Sequence, residues 1–269
     1  MVLNTEDMPA KVSIEWSPKS KVGYVHIGNR TVSFDQIKAV FWRQLKPFSI
    51  QKSIQLQDTY ALLKTFLLEP NIHWVNGDEA INMHRCKPRQ LSLLAENGVQ
   101  IPDTLIDTYS AKAQSFLEQY KSVIVKPVHG GVHSLKVEYA STRPQQLAAA
   151  MNDLPCTLQR FIPGTNIRTY VIGSQVFSLE IKTLADDYRD DAHAQAQAIQ
   201  TSIDITILAK RVSALLKMEW TAIDWRRNKQ GEYYFLEANP SPMFLEVERA
   251  TGLPLTRALI ELLLQDKAT

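Results

Sequence analysis

The residues best suited to chemistry lie near the C-terminal end of the chain, in Phe235-Leu-Glu-Ala-Asn-Pro-Ser-Pro242. Glu237 and Asn239 are two apart, so on an extended chain both side chains project from one face. Joined by Asp224 from Ala222-Ile-Asp-Trp225, one hairpin upstream, they form a set of hard oxygen donors. Magnesium takes such donors and fills its remaining positions with water and phosphate. Glu-x-Asn-Pro alone reads equally well as a strand ending in a polar turn; Asp224 at hairpin distance favours the metal.

Two weaker signals precede it. In Val123-Ile-Val-Lys-Pro-Val-His-Gly-Gly131, Lys126 sits on a strand before a glycine turn, where it can reach phosphate as a point charge. Gly130 and Gly131 allow backbone N–H groups to approach those phosphates. The plain alternative is an exposed hairpin with His129 and His133 as decoration. No Walker A loop and no GxGxxG fingerprint occurs. In Leu158-Gln-Arg-Phe-Ile-Pro-Gly-Thr-Asn-Ile-Arg168, Arg168 follows a Pro-Gly turn and can aim at phosphate or carboxylate; on an edge strand it would be solvated surface.

The elements that must position these residues alternate between short strands and longer helices, a mixed α/β pattern. Strands are expected at 12–16, 23–27, 39–42 and 71–76, and helices at 55–68 and 89–96, the latter stopped by Asn97-Gly98. A hairpin covers 121–139 and a second β region covers 157–181. Residues 183–202 are polar and rich in Ala, Gln and Asp, and read as a surface loop leading into a helix at 203–216. Strands at 222–225 and 233–237 pair, and a helix at 257–264 closes the chain. Trp16, Trp42 and Trp74 read as core. Met243 and Phe244 either shape an acceptor pocket or pack beneath the final helix.

Composition sets the outer bounds. The chain has 269 residues, 45% hydrophobic and 22% charged, which is ordinary for a globular protein and excludes disordered, collagenous and coiled-coil classes. A net charge of +2 points to no nucleic-acid or membrane partner. Cys86 and Cys156 make no disulfide framework or zinc site and read as partly buried residues without a role. No signal peptide and no membrane-length apolar run occurs, so a cytoplasmic, reducing compartment is expected.

Taken in order, these pieces resemble the ATP-grasp carboxylate–amine ligases from about Lys87 onward. The series is Cys86-Lys-Pro-Arg-Gln-Leu91, Ile-Pro-Asp-Thr, Val-Ile-Val-Lys-Pro with its glycines, Gln-Arg-Phe-Ile-Pro-Gly, Asn-Ile-Arg, Ala-Ile-Asp and Leu-Glu-Ala-Asn-Pro. Within that superfamily the chain is most similar to the microviridin-type (graspetide) peptide ligases. Asp187-Tyr-Arg189 resembles their Asp-aromatic-Arg element. Asn239-Pro-Ser-Pro and the following tail to Leu255 resemble the stretch after their metal strand.

The resemblance implies an α/β ATP-grasp fold: an N-terminal α/β lobe over 1–84, a central subdomain over 85–157 and a C-terminal subdomain over 158–269. It implies that Lys87 and Lys126 contact ATP phosphates and that Gln159, Arg160, Phe161 and Ile162 form the hinge beside adenine. Asp224, Glu237 and Asn239 would ligate Mg2+, two ions in all, and Arg168 and Arg189 would face the γ-phosphate and the acyl phosphate. Three positions depart from the pattern. Arg160 replaces an acid common in the hinge, Asn166 stands where Asp is frequent, and the loop at Gly130-Gly131 is poor in glycine.

The implied activity is ATP-dependent activation of a carboxylate and its coupling to a hydroxyl or amine, with a side-chain crosslink in a ribosomally made precursor peptide as product. The alternatives are a ligase for a small amino acid or metabolite and a non-catalytic nucleotide-binding partner. A homodimer is expected by resemblance alone.

Overall fold

The computed structural model describes residues 1–50, 53–108, 111–129, 134–141, 154–183, 185, 191 and 193–265. The chain opens with a three-stranded antiparallel meander, β1 (Val12–Ser17), β2 (Val22–Ile27) and β3 (Arg30–Ser33). Alternation in β1 puts Val12 and Ile14 inward. A crossover follows: β4 (Ala39–Phe41), α1 (Ser53–Leu67) and β5 (His73–Val75), with β4 and β5 parallel. Leu63, Phe66 and Leu67 of α1 close one core with Val12, Ile14, Phe34 and Trp42. Trp16 and Trp74 pack against that core, as the sequence predicts.

Two short helices come next, α2 (Asp78–Arg85) and α3 (Lys87–Glu96). The α3 stop is the predicted one. Gly98 takes φ +71°, and Val99 N–H turns back to the Leu94 carbonyl. The second sheet has the order β6 (Thr104–Asp107), β9 (Cys156–Arg160), β7 (Ser122–Pro127), β8 (Leu135–Glu138). Helix α4 (Ala111–Tyr120) seals it, with Leu117 against a core that includes Val123, Val125 and Leu158. Strand β9 lies across residue 157, where the sequence reading divides the two ATP-grasp subdomains.

The third sheet is fully antiparallel, in the order β12 (Gln195–Ile199), β11 (Gln175–Lys182), β10 (Thr165–Ile172), β13 (Trp220–Arg227), β14 (Tyr233–Asn239). Helix α5 (Ile203–Leu215) and α3 cover one face, over Ile167, Trp225 and Phe235. Helices α6 (Leu245–Thr251) and α7 (Leu255–Leu263) lie on the other side, with α7 over Tyr170, Trp220 and Ala222.

Two expectations change here, and one open alternative is divided between two residues. Part of 183–202 is strand β12, not loop. Gln195, Gln197 and Ala198 are exposed and only Ala196 and Ile199 are partly buried, so hydropathy hides a strand that β11 organises through its open edge. Cys86 is exposed rather than partly buried. Met243 is 81% exposed and does not pack beneath the final helix, whereas Phe244 packs on Trp220. Among the described residues no helix is long and apolar enough to cross a membrane.

Candidate active site

Three of the expected functional residues stand in one row across the third sheet. Arg168 on β10 is the register partner of Asp224 on β13, and Asp224 is the register partner of Glu237 on β14. Directly opposed residues share a face, so all three project together. The β13/β14 register slips between Asp224 and Trp225, so that Trp225 pairs with Phe235 and Leu236 is the extra residue. Without that bulge Phe235 and Glu237 would share a face. With it, Phe235 enters the core while Glu237 faces the site.

Arg168 is not on an edge. β10 is the middle strand, and the side chain is 17% exposed. Its guanidinium forks onto Asp224, Nε to Oδ1 at 2.7 Å and Nη2 to Oδ2 at 2.8 Å. Lys87, the first residue of α3, donates from Nζ to Glu237 Oε2. Burial pushes the Glu237 carboxyl up. The Lys87 charge and hydrogen bond, helped by Lys126 and His84, outweigh that and hold it below the usual carboxylate range. Asn239 Oδ1 accepts from Ser241 N–H at 2.9 Å, which fixes the amide oxygen and leaves it a second lone pair.

Lys126 on β7 donates to Gln159 Oε1 at 3.1 Å, and Gln159 Nε2 donates to Thr104 Oγ1 at 3.0 Å. The backbone of the expected hinge is tied in place. Arg160 N–H goes to the Asp103 carbonyl, Phe161 N–H to the Ser122 carbonyl, and the Ile162 carbonyl accepts from Arg226 Nε. The two departures at this point have local partners. The Arg160 guanidinium lies 3.4 Å from Asp103 and within 6 Å of the Tyr120 and Tyr234 rings, bridging the second and third sheets. Asn166 Oδ1 accepts from Arg226 Nη1 at 2.7 Å, a contact an amide makes as well as a carboxylate. Gly130, Gly131, His133 and the Asp187-Tyr-Arg189 element lie outside the described residues. His129 and His193 are both exposed.

Sequence reasoning missed four positioning residues. Gln90 on α3 is buried and bonds both backbone groups of Ala238, between Glu237 and Asn239. His84 Nδ1 pairs with the same Ala238 carbonyl at 3.0 Å. Buried Asn76, after β5, donates to the Trp220 and Pro240 carbonyls and accepts from Trp220 N–H, pinning the start of β13 to the end of β14. Arg226 joins hinge and sheet. Each is an isolated polar residue in an ordinary context, and no spacing in the sequence marks it.

The donor set fits magnesium. Asp224, Glu237 and Asn239 offer hard oxygens from adjacent strands, and two carboxylates are what an ion completed by phosphate needs. Among the described residues there is no group of three His, Cys, Asp or Glu side chains that would hold a metal without such help.

The model of the RimK-like ATP-grasp domain matches residues 84–263. This chain belongs to that family. It is an ATP-grasp ligase with the ATP-grasp fold. A probable α-L-glutamate ligase from Histophilus somni is 29% identical over 211 residues, 74% of this chain and 70% of that protein. Among solved structures, the macrocyclase MdnC bound with precursor peptide MdnA, from Microcystis aeruginosa, superposes with a TM-score of 0.82 at 20% identity, covering 98% of this chain and 90% of that one. The ATP-grasp ligase PsnB, complexed with minimal precursor, Mg and ADP, gives 0.77 at 24% identity, covering 96% and 87%. At these identities the two ligases share the fold with this RimK-like chain.

Proposed function

We propose that this ATP-grasp ligase activates a side-chain carboxylate of a ribosomally made peptide and joins it to a hydroxyl or amine of the same peptide. One observation carries the reading. The likeness to MdnC extends over 98% of the chain and so includes the N-terminal lobe, which lies outside the RimK-like match. In ligases that share ATP chemistry, the part outside the nucleotide-binding body is free to select the acceptor.

In this reading Lys87 and Lys126 hold ATP phosphates, residues 159–162 flank adenine, and Asp224, Glu237 and Asn239 hold magnesium. Bound there, magnesium would offset charge on the transferring phosphoryl group. The cations that neutralise Glu237 and Asp224 in the free protein, Lys87 and Arg168, are the ones that meet phosphate when ATP arrives. A peptide carboxylate oxygen attacks the γ-phosphorus, and the bond to the β-phosphate oxygen breaks to release ADP. The acceptor oxygen or nitrogen then attacks the acyl phosphate carbon, loses its proton and expels phosphate. Arg168 faces the oxyanion of that step, and the family resemblance assigns Arg189 the same task. The peptide loses one water per crosslink.

An intact-mass assay tests this, using the protein, magnesium, ATP and a short peptide rich in acids and Thr, Ser or Lys encoded beside its gene. Loss of one or more waters, abolished by Glu237→Ala, is expected. A full loss of water with Glu237→Ala overturns the metal assignment. The similarity to a probable α-L-glutamate ligase favours a second reading, ligation of a free amino acid. ADP release driven by free glutamate, with no peptide present, would establish it instead.

A further inference from the structure

A cavity of about 950 Å³, within the size range of ligand sites of roughly 300–1,000 Å³, lies in the N-terminal lobe against Leu263 and Leu264 at the end of α7. Leu63, Phe66 and Leu67 of α1 line it together with Trp42 and Trp74, so its walls are aliphatic and aromatic. Three cations, Arg30, Lys38 and Arg43, also line it and all are exposed. No Asp or Glu is among its described lining residues, and neither Arg30 nor Lys38 forms an ion pair among the described residues. An apolar cavity rimmed by uncompensated positive charge suits an occupant that is apolar and anionic.

Two features select a peptide over a lipid carboxylate. Lys38 and Arg43 bracket the extended stretch that contains β4, which sets their backbones roughly 16 Å apart. That spacing suits carboxylates distributed along a chain better than a single headgroup. Second, Ala39, Val40 and Phe41 of β4 all line the cavity, and β4 is paired on one edge only, to β5. Its other edge has no strand partner among the described residues, so its backbone groups are available to an added strand.

One lining residue, Arg43, links the cavity to the candidate active site. Arg43 Nη1 donates to the Ser241 carbonyl at 3.2 Å, and Ser241 N–H in turn bonds Asn239 Oδ1. We propose that this cavity binds an extended acidic peptide segment with large apolar side chains, laid along the open edge of β4. The proposal deepens the peptide-substrate reading and rests on it: the bound segment belongs to the peptide whose carboxylate is activated beyond Ser241.

Fluorescence anisotropy with the full chain, in the absence of ATP, tests it. The probe is a fluorescein-labelled peptide of about ten residues alternating Glu with Leu and Phe. Tight binding is expected, weakened about tenfold or more when Lys replaces Glu in the probe, when alternate amides are N-methylated, and in the double variant Arg30→Glu/Lys38→Glu. The double variant keeps its thermal midpoint and its ADP affinity. Equal binding of the Lys probe, or no effect of the double variant, overturns the proposal. Displacement by dodecanoate without sensitivity to N-methylation overturns it in favour of a lipid carboxylate. The mass assay remains separate: water loss from a peptide that the double variant processes normally overturns the groove alone, while charge-dependent probe binding without any water loss supports the groove and overturns the peptide-crosslinking reading.

Discussion

Gln90 and Ala238 exchange two hydrogen bonds, Ala238 N–H to Gln90 Oε1 at 3.0 Å and Gln90 Nε2 to the Ala238 carbonyl at 3.2 Å. β14 is the last strand of its sheet, and a buried side-chain amide supplies what a further strand would. Because Glu237 and Asn239 flank Ala238, the amide fixes the backbone between the two candidate ligands.

Gln90→Leu therefore leaves the Ala238 N–H buried without its acceptor, at a cost of about 2 kcal/mol. Chemical denaturation should show that loss. Turnover measured well below the melting range should fall more steeply than stability, through misplaced ligands. A folded Gln90→Leu protein with wild-type turnover would remove the positioning role.

Burial, and after it the Lys87 charge, hold the His84 imidazole below its ordinary value of 6.5. The native state thus resists a proton that the unfolded chain accepts. The stabilisation is complete above the unfolded value and is lost as pH falls through it toward the lower native value. Urea midpoints should drop between about pH 7.5 and 5.5, and His84→Gln should flatten that drop. A wild-type profile that is flat across this window would refute the assignment.

The fork between Arg168 and Asp224 predicts a specific non-additivity. Arg168→Met strands a carboxylate that is 18% exposed and should cost about 2 kcal/mol, less than the full penalty of a buried pair. Adding Asp224→Asn should restore part of that stability while ligase activity stays lost. Additive stability changes in the double-mutant cycle would show that the pair is not coupled.

Gly164 precedes β10, and a Cβ there would meet the Arg227 carbonyl oxygen at 2.0 Å. That neighbour is backbone and cannot move aside. Gly164→Ala should push the hinge segment away from β13 and cost about 2 kcal/mol or more. Calorimetry checks the value, and a shift below a few tenths of a kcal/mol would contradict the close approach.

ADP with magnesium should raise the thermal midpoint, by the equivalent of about 2.7 kcal/mol at a hundredfold excess over Kd. A chelator should remove most of the shift, as should Lys87→Ala or Lys126→Ala. An equal shift with and without magnesium would separate the nucleotide from Asp224, Glu237 and Asn239.

Where the chain carries periodic apolar residues or a turn signal, its elements could be read directly: β1, β2, α1, the α3 stop and the β13/β14 pair. Helices α2, α4 and α6 were not legible, being seven to ten residues long, too short for a helical period to stand out from loops. Strand β12 escaped because glutamines and alanines make a strand only when β11 offers an edge.

The sequence by itself determined the ATP-grasp order of motifs and put Asp224, Glu237 and Asn239 on paired strands, because residue types and two-residue spacing are local properties. Tertiary structure alone decided that Arg168 sits on the central strand and forks onto Asp224, and that a bulge at Leu236 turns Glu237 away from the core. It also decided that Gln90, His84 and Asn76, 144 to 164 residues from their partners, hold β14 in place. Those contacts join chain segments far apart in sequence, and no local pattern encodes which distant backbone group a lone amide or imidazole will meet.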